Sequence, residues 1–436
     1  MLLRIALGFL NRQANDNHED VVSWIVDKNS IPEKNDCWSC YQPKLYYVVC
    51  AALVKLFNVT GDGSRTVVMQ QVNVVISFFI LLLFWKFIDR QNWNARNKLL
   101  LFGLFAFNPC LAGINVQSTN DTPVIFLGML AAYAAVSFFG EMKFRPAIVL
   151  ILALVGGALT KASAIVMFGA ISAVFIIAIW ARPLNRIRMT IVKCFLVLMI
   201  CFLSIVPIAG GYYHNYKNHG SLTLSTWNNA SPPSFFQTTL AGRPGLQNMY
   251  QGFFTFRYFD MIRQPYINNE ETNYPVHRTS LWSQLYGRTV FMHFDQWPPT
   301  WQSQDYRILF IGRVLIILGI IPLGLFLAGL IKGIFSFFKN IVRRRRSYFA
   351  IPENYLHLLV TLAFLASSIY YSYSIRDFSS MKSIYIFPGF LSFIKLLGDG
   401  FMLLKSKRII SGIEGVLVVI ILFSIADIAF LIYQLS

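Results

Sequence analysis

Four groups able to bind protons or cations stand on six consecutive residues, Asn15-Asp16-Asn17-His18-Glu19-Asp20. Acids packed this closely beside a histidine suit two chemistries. A carboxylate whose pKa is raised by low-dielectric surroundings is a general base, and several together hold a divalent cation, Mg or Mn, through oxygen ligands. The same residues also suit a polar helix start, with Asn15 or Asp16 as N-cap. A further acid, Asp121, lies in Asn115-Val116-Gln117-Ser118-Thr119-Asn120-Asp121-Thr122-Pro123. It either caps the following helix, with Pro123 in the first turn, or belongs to a site. Lys161 follows Gly156-Gly157-Ala158-Leu159-Thr160 inside an apolar stretch from 146 to 181. A charge there is costly and marks function, and an anionic headgroup is the natural partner. Arg376 and Lys382 add a second basic pair, for which snorkelling accounts for Lys382 alone. The motifs GxxxxGK[ST], HExxH, GxSxG and GxGxxG are absent from the sequence.

The elements that must hold these residues are membrane spans. Of 436 residues 56% are hydrophobic, against about 45–50% for soluble domains. Only 13% are charged, and the mean hydropathy is +0.53. A soluble globular protein and a disordered chain are both excluded. Apolar runs predict spans at about 66–89, 99–115, 123–140, 146–160, 164–181, 190–211, 308–331, 355–373, 383–401 and 409–433. The opening MLLRIALGFL reads as an amphipathic stub or as the end of a first span. With it, about 10–11 transmembrane helices are expected in an all-α polytopic membrane protein, as one domain over 1–436.

Charge sets the orientation. The loops 90–98, 141–145, 182–193, 332–346 and 405–408 hold 3, 2, 4, 6 and 3 Lys/Arg against the single acid Glu141. They account for +17 of the net +18 and are cytosolic by the positive-inside rule. The run Arg343–Arg346 therefore reads as a topology and headgroup anchor, and nucleic acid drops out as a partner. The outer side receives a first loop, 11–65, and a long loop, 212–306. In the first, VVSWIVDK at 21–28 and YYVVCAALVKLF at 46–57 read as interfacial helices. Between them the CxxC of Cys37 and Cys40 is expected oxidised, since no second Cys or His pair suggests zinc. In the long loop, Trp282, Trp297 and Trp301 suit sugar stacking or an interfacial belt. Asn58, Asn120 and Asn229 match the short glycosylation pattern.

The order of these features resembles the membrane glycosyltransferases of the GT-C fold, especially the group of dolichyl-phosphate-mannose protein mannosyltransferases and lipid A aminoarabinose transferases (family 39). Residues 15–20 stand where that group carries an acidic motif. Gln42-Pro43-Lys44-Leu45-Tyr46-Tyr47 matches a Q/H-P-P-L-Y-Y helix start except at Lys44, which leaves that start less rigid. Ser118-Thr119-Asn120-Asp121, Gly156 through Lys161, and Lys382, Tyr385 and Pro388 match its later elements. The resemblance covers about residues 10–400.

It implies inverting transfer of a sugar from a polyprenyl-phosphate donor to an acceptor lipid, glycan or protein at the outer face. Asp16 is then the first choice of base, with Glu19 and Asp20 behind it. Lys161, Arg376 and Lys382 meet the donor phosphate. Gln42, Tyr46 and Trp297 contact substrate, and Asp16, His18 and Asp121 share the cation if one is used. The implied setting is a bacterial inner membrane with the site facing the periplasm, or else the endoplasmic reticulum. A flippase for an anionic polyprenyl-linked lipid would explain the rim cations but not the clustered outer acids. A lipid-linked glycan polymerase or ligase would not need the first-loop acids.

Overall fold

The computed structural model describes residues 1–13, 17–181, 184–205, 211–222, 224, 249–267, 280–294, 299–301, 303, 305–343, 345–349, 351–374 and 381–436. They form helices joined by turns and loops. In chain order the first six are α1 (Leu2–Leu10), α2 (Glu19–Lys28), α3 (Leu45–Leu56), α4 (Asp62–Asp89), α5 (Ala95–Ala106) and α6 (Pro109–Ile114). Next come α7 (Asp121–Glu141), α8 (Phe144–Thr160), α9 (Ile165–Ala181), α10 (Leu184–Ile205), α11 (Tyr212–His219), α12 (Met249–Phe253), α13 (Tyr258–Arg263) and α14 (Leu281–Val290). The chain closes with α15 (Tyr306–Leu318), α16 (Ile320–Val342), α17 (Arg346–Phe349), α18 (Glu353–Ser374), α19 (Phe390–Phe401) and α20 (Lys407–Leu435).

Six of the described helical segments are long and apolar enough to cross a bilayer: Asp62–Asp89, Asp121–Gly140, Ala162–Ala181, Tyr306–Val342, Glu353–Ser374 and Lys407–Leu435. The protein is an integral multi-pass membrane protein. Four expected spans are shorter helices or helix pairs. The stretch 99–115 is broken where Asn108 accepts from Leu111 N and Pro109 opens α6, because proline has no N–H with which to continue α5. The stretch 383–401 begins as two 3₁₀ turns, Ser383–Tyr385 and Phe387–Gly389, around Pro388, before α19. α8 and the apolar part of α10 are also short of a full crossing. Glycine lets two of the helices touch backbone to backbone: a Cβ at Gly329 would collide with Leu396 O, and one at Gly400 with Leu325 O, so α16 and α19 cross in direct contact.

The two expected interfacial helices are present as α2 and α3. Val21, Val22 and Ile25 recur at helical spacing and bury against Tyr46, Tyr47, Cys50 and Val54 of α3 and Met69 of α4. Each such side chain stabilises the cap by about 1.5–3 kcal/mol relative to exposure. Cys37 and Cys40 form a disulfide in the turn between them. Lys44, where the motif has proline, does not loosen the helix start: it is buried and its Nζ donates to the carbonyl of Cys40, tying α3 to the disulfide turn. Burial lowers the Lys44 ammonium to about 8.

The basic loops gather at one end of the bundle. Gln91 donates to Glu353 at 3.2 Å, Arg90 to Ser137 at 3.3 Å, and Lys193 to the Met142 carbonyl at 2.7 Å. Arg96 pairs with Glu414 at 2.9 Å, and Lys395 lies 5.9 Å from the Trp93 ring. The first loop, residues 115–121, residues 160–161 and residues 381–386 meet at the opposite end.

Candidate active site

The loop between α6 and α7 is buried over its whole length. Asn115, Val116, Ser118, Asn120 and Thr122 are fully covered, and Gln117, Thr119 and Asp121 nearly so. A buried loop must have its backbone groups satisfied, and polar side chains from neighbouring helices do this. Asn73 of α4 donates to the carbonyls of Gln117 and Thr119, both at 2.7 Å. Asn11 donates to Val116 O at 3.0 Å, and Asn120 donates to Thr160 O at 2.9 Å. Thr66, Gln70, Asn73 and Ser77 form a buried polar stripe along α4 at helical spacing. No motif singles these residues out; four polar residues at that period inside an apolar span are the sequence signal that marks them. Asn120 is too buried to accept glycan, so its match to the acceptor pattern is fortuitous.

At the centre of this loop Asp121 meets Lys161. Lys161 Nζ donates to Asp121 Oδ1 at 2.6 Å, with side chains 11% and 6% exposed. Asp121 does not cap α7: Asn120 holds the N-cap position without a side-chain bond, and the Asp121 carboxylate turns to the lysine. Its other oxygen accepts from Thr119 Oγ1 at 2.8 Å. Thr119 Oγ1 lies 3.5 Å from His18 Nε2, and His18 Nδ1 lies 2.5 Å from the Tyr47 hydroxyl. Lys161 Nζ also stands 5.8 Å from the ring of Tyr385. One continuous chain of contacts thus joins Tyr47, His18, Thr119, Asp121, Lys161 and Tyr385. It links α3, the turn before α2, the buried loop, the α8 terminus and the 3₁₀ turn near Pro388.

Glu19 and Asp20 open α2 beside this chain. Burial raises the Glu19 carboxyl above the ordinary range against an opposing hydrogen bond from its own backbone N–H, and the charges of Asp20 and Asp62 act in the same direction as burial. Burial and then Asp62 raise the Asp20 carboxyl. Glu19 Oε2 is buried without a hydrogen-bond partner, the environment expected of a base held out of water. Lys382 immediately precedes the turn that carries Tyr385.

Other expected contacts fall elsewhere. The Tyr46 hydroxyl donates to Met69 O at 3.3 Å and packs α3 on α4, while Gln42 donates to the neighbouring Tyr41 hydroxyl at 2.8 Å. Trp301 is buried in an apolar cluster with Met292 and Ala112, and Trp282 Nε1 donates to Phe253 O at 2.8 Å. These contacts tie both rings into the fold. Asp16, Arg376 and Trp297 lie outside the described residues. Among the described residues no three His, Cys, Asp or Glu side chains cluster as a metal site. Asp121 accepts from Lys161 on one oxygen and from Thr119 on the other, and the Thr119 hydroxyl lies between it and His18 Nε2.

No protein-family profile and no curated protein matches the chain. Among solved structures it is similar to the aminoarabinose transferase ArnT from Cupriavidus metallidurans. For the apo state the identity is 12% and the TM-score 0.38, covering 91% of this chain and 75% of that one. For the form bound to undecaprenyl phosphate the identity is 12% and the TM-score 0.37, covering 92% and 76%.

Proposed function

We propose that this protein is a membrane glycosyltransferase that moves a sugar from a polyprenyl-phosphate donor to an acceptor at the face opposite the basic loops. One observation carries the reading. Segments that lie far apart in sequence but resemble successive glycosyltransferase motifs (residues 18–20, 47, 119–121, 160–161 and 385) converge at one end of the bundle. Membrane packing alone gives no reason for a histidine, an acid and a lysine from three distant segments to meet there.

The acceptor hydroxyl attacks the anomeric carbon, the bond from that carbon to the phosphate oxygen breaks, and polyprenyl phosphate leaves with both electrons. Lys161 neutralises the charge that develops on the leaving phosphate. It is held ready by Asp121, which keeps the buried ammonium compensated until a phosphate arrives. Lys382 and Arg376 supply further positive charge to the same phosphate. The attacking hydroxyl gives its proton to a carboxylate of the first loop, Asp16 by its place in the motif, with Glu19 and Asp20 as alternatives. Attack opposite the leaving group inverts the anomeric centre. The acceptor is a lipid, glycan or protein, and the setting is a bacterial inner membrane with the site on the periplasmic side.

The test is transfer of label from a mixed pool of radiolabelled polyprenyl-phosphate sugars by purified wild type, Asp16→Asn and Lys161→Ala. Label transfer by wild type and its loss in both folded variants support the reading. Donor binding that Lys161→Ala weakens, with no sugar released, identifies a flippase instead. No binding at all means that the rim charges are anchors.

A further inference from the structure

A second site lies at the other end of the molecule. A cavity of about 330 Å³ opens between α16, α18, α19 and the turn before α18. Its polar lining includes Lys332, Ser336, Glu353, His357, Lys395 and Asp399. Two of these charges neutralise each other, since Lys395 Nζ donates to both oxygens of Asp399 at 2.7 Å. Two do not. Lys332 has no ion-pair or hydrogen-bond partner among the described residues, and Glu353 receives only the amide of Gln91. His357 is 2% exposed; its Nδ1 lies 3.0 Å from Ser392 Oγ, and its Nε2 is buried without a partner. An exposed ammonium and a carboxylate with no cationic partner thus line one cavity, with the buried His357 behind them. Beside it, Lys339 near the end of α16 and Arg343 and Arg345 just beyond it add positive charge of the kind that attracts phospholipid headgroups.

We infer that this cavity binds the headgroup of a zwitterionic phospholipid that carries a phosphate and a primary ammonium. Lys332 meets the phosphate, and Glu353 accepts from the ammonium. A purely anionic headgroup would leave Glu353 facing negative charge. A quaternary ammonium would offer it no N–H to accept.

The test uses the purified full chain, stripped of lipid in detergent, with lipid occupancy read by native mass spectrometry. Short-chain phosphatidylethanolamine, phosphatidylglycerol and phosphatidylcholine are added separately, and phosphoethanolamine and inorganic phosphate serve as soluble competitors. Phosphatidylethanolamine is expected to bind about tenfold better than either other lipid, the size that one charged hydrogen bond gives. Glu353→Gln should remove that preference and Lys332→Gln should weaken all three lipids alike, whereas Lys407→Gln, on the exposed start of α20, should leave both preference and affinity intact. Competition by phosphoethanolamine but not by phosphate shows that the headgroup alone is recognised. Competition by neither, with the lipid preference kept, shows that the acyl chains are needed as well. Equal binding of phosphatidylethanolamine and phosphatidylcholine overturns the proposal. So does equal competition by phosphate together with phosphatidylglycerol binding, which would mark a plain anion site. The lipid comparison on wild type decides the matter even if a variant does not fold.

Discussion

The Lys161–Asp121 pair is the residue-scale centre of the molecule, and its energetics are asymmetric. Removing one member leaves the other charge buried and uncompensated, at a cost of about 3–5 kcal/mol, whereas replacing both by apolar groups is far milder. Asp121→Asn and Lys161→Met should each lower the thermal midpoint of the detergent-purified protein strongly. The double variant Asp121→Leu/Lys161→Met should recover most of that loss while remaining unable to transfer sugar. Full additivity of the single effects would show that the two charges do not interact. A second prediction concerns the acids of α2. Because their carboxyl pKa values are raised in the folded protein, their contribution to stability is present below the ordinary carboxylate range and lost as pH rises through the raised values. Over the same window a first-loop base becomes ionised, so turnover rises. Asp62 lifts both groups, and Asp62→Asn should therefore move the acid limb of the rate–pH profile to lower pH. A limb that stays in place would assign the proton acceptor elsewhere.

At the scale of elements, the site depends on contacts that carry no chemistry. Gly128 of α7 faces Pro388 so closely that a Cβ would stand 2.5 Å from its carbonyl oxygen. That approach seats the turn bearing Tyr385 beside Lys161. Gly128→Val should displace the turn and lower transfer by an order of magnitude or more, since small misplacements of positioning groups cost about 10²-fold. The protein should still fold, because the wall that moves is two short 3₁₀ turns rather than a long helix. Kinetics on the folded variant check this, and unchanged turnover would remove Tyr385 from the site. The cap of α2 and α3 works similarly: the disulfide and the buried Lys44 fix the start of α3, and α3 in turn holds Tyr47 against His18.

For the whole molecule, the segregation of charge divides the bundle into two ends with different tasks. The basic end fixes orientation and the opposite end holds the proposed chemistry. Cysteine substitution tests the orientation directly in intact cells. Thr60→Cys, exposed beyond α3, should react with a membrane-impermeant thiol reagent, and Arg345→Cys should react only after the cells are opened. The native free cysteines Cys50, Cys194 and Cys201 are buried and Cys110 partly so, which keeps the background low. The reverse pattern of labelling would invert the proposed topology.

Composition and charge determined the membrane class, the end-to-end polarity and the two interfacial helices, because hydropathy and the 3.6-residue period act locally along the chain. Motif order singled out His18, Asp121 and Lys161 as candidates. Sequence could not show that Asp121 grips Lys161 instead of capping α7, since both roles place an acid at a helix start and only the packing of α7 against α8 brings the lysine within 2.6 Å. Nor could it distinguish Tyr47, which reaches His18, from Tyr46, which braces α4: neighbouring residues point about 100° apart on a helix, and tertiary contact decides which one faces the site. The cavity at the basic end was equally hidden, because Lys332 of α16, Glu353 of α18 and Lys395 of α19 share a space only once α16 and α19 cross at Gly329 and Gly400.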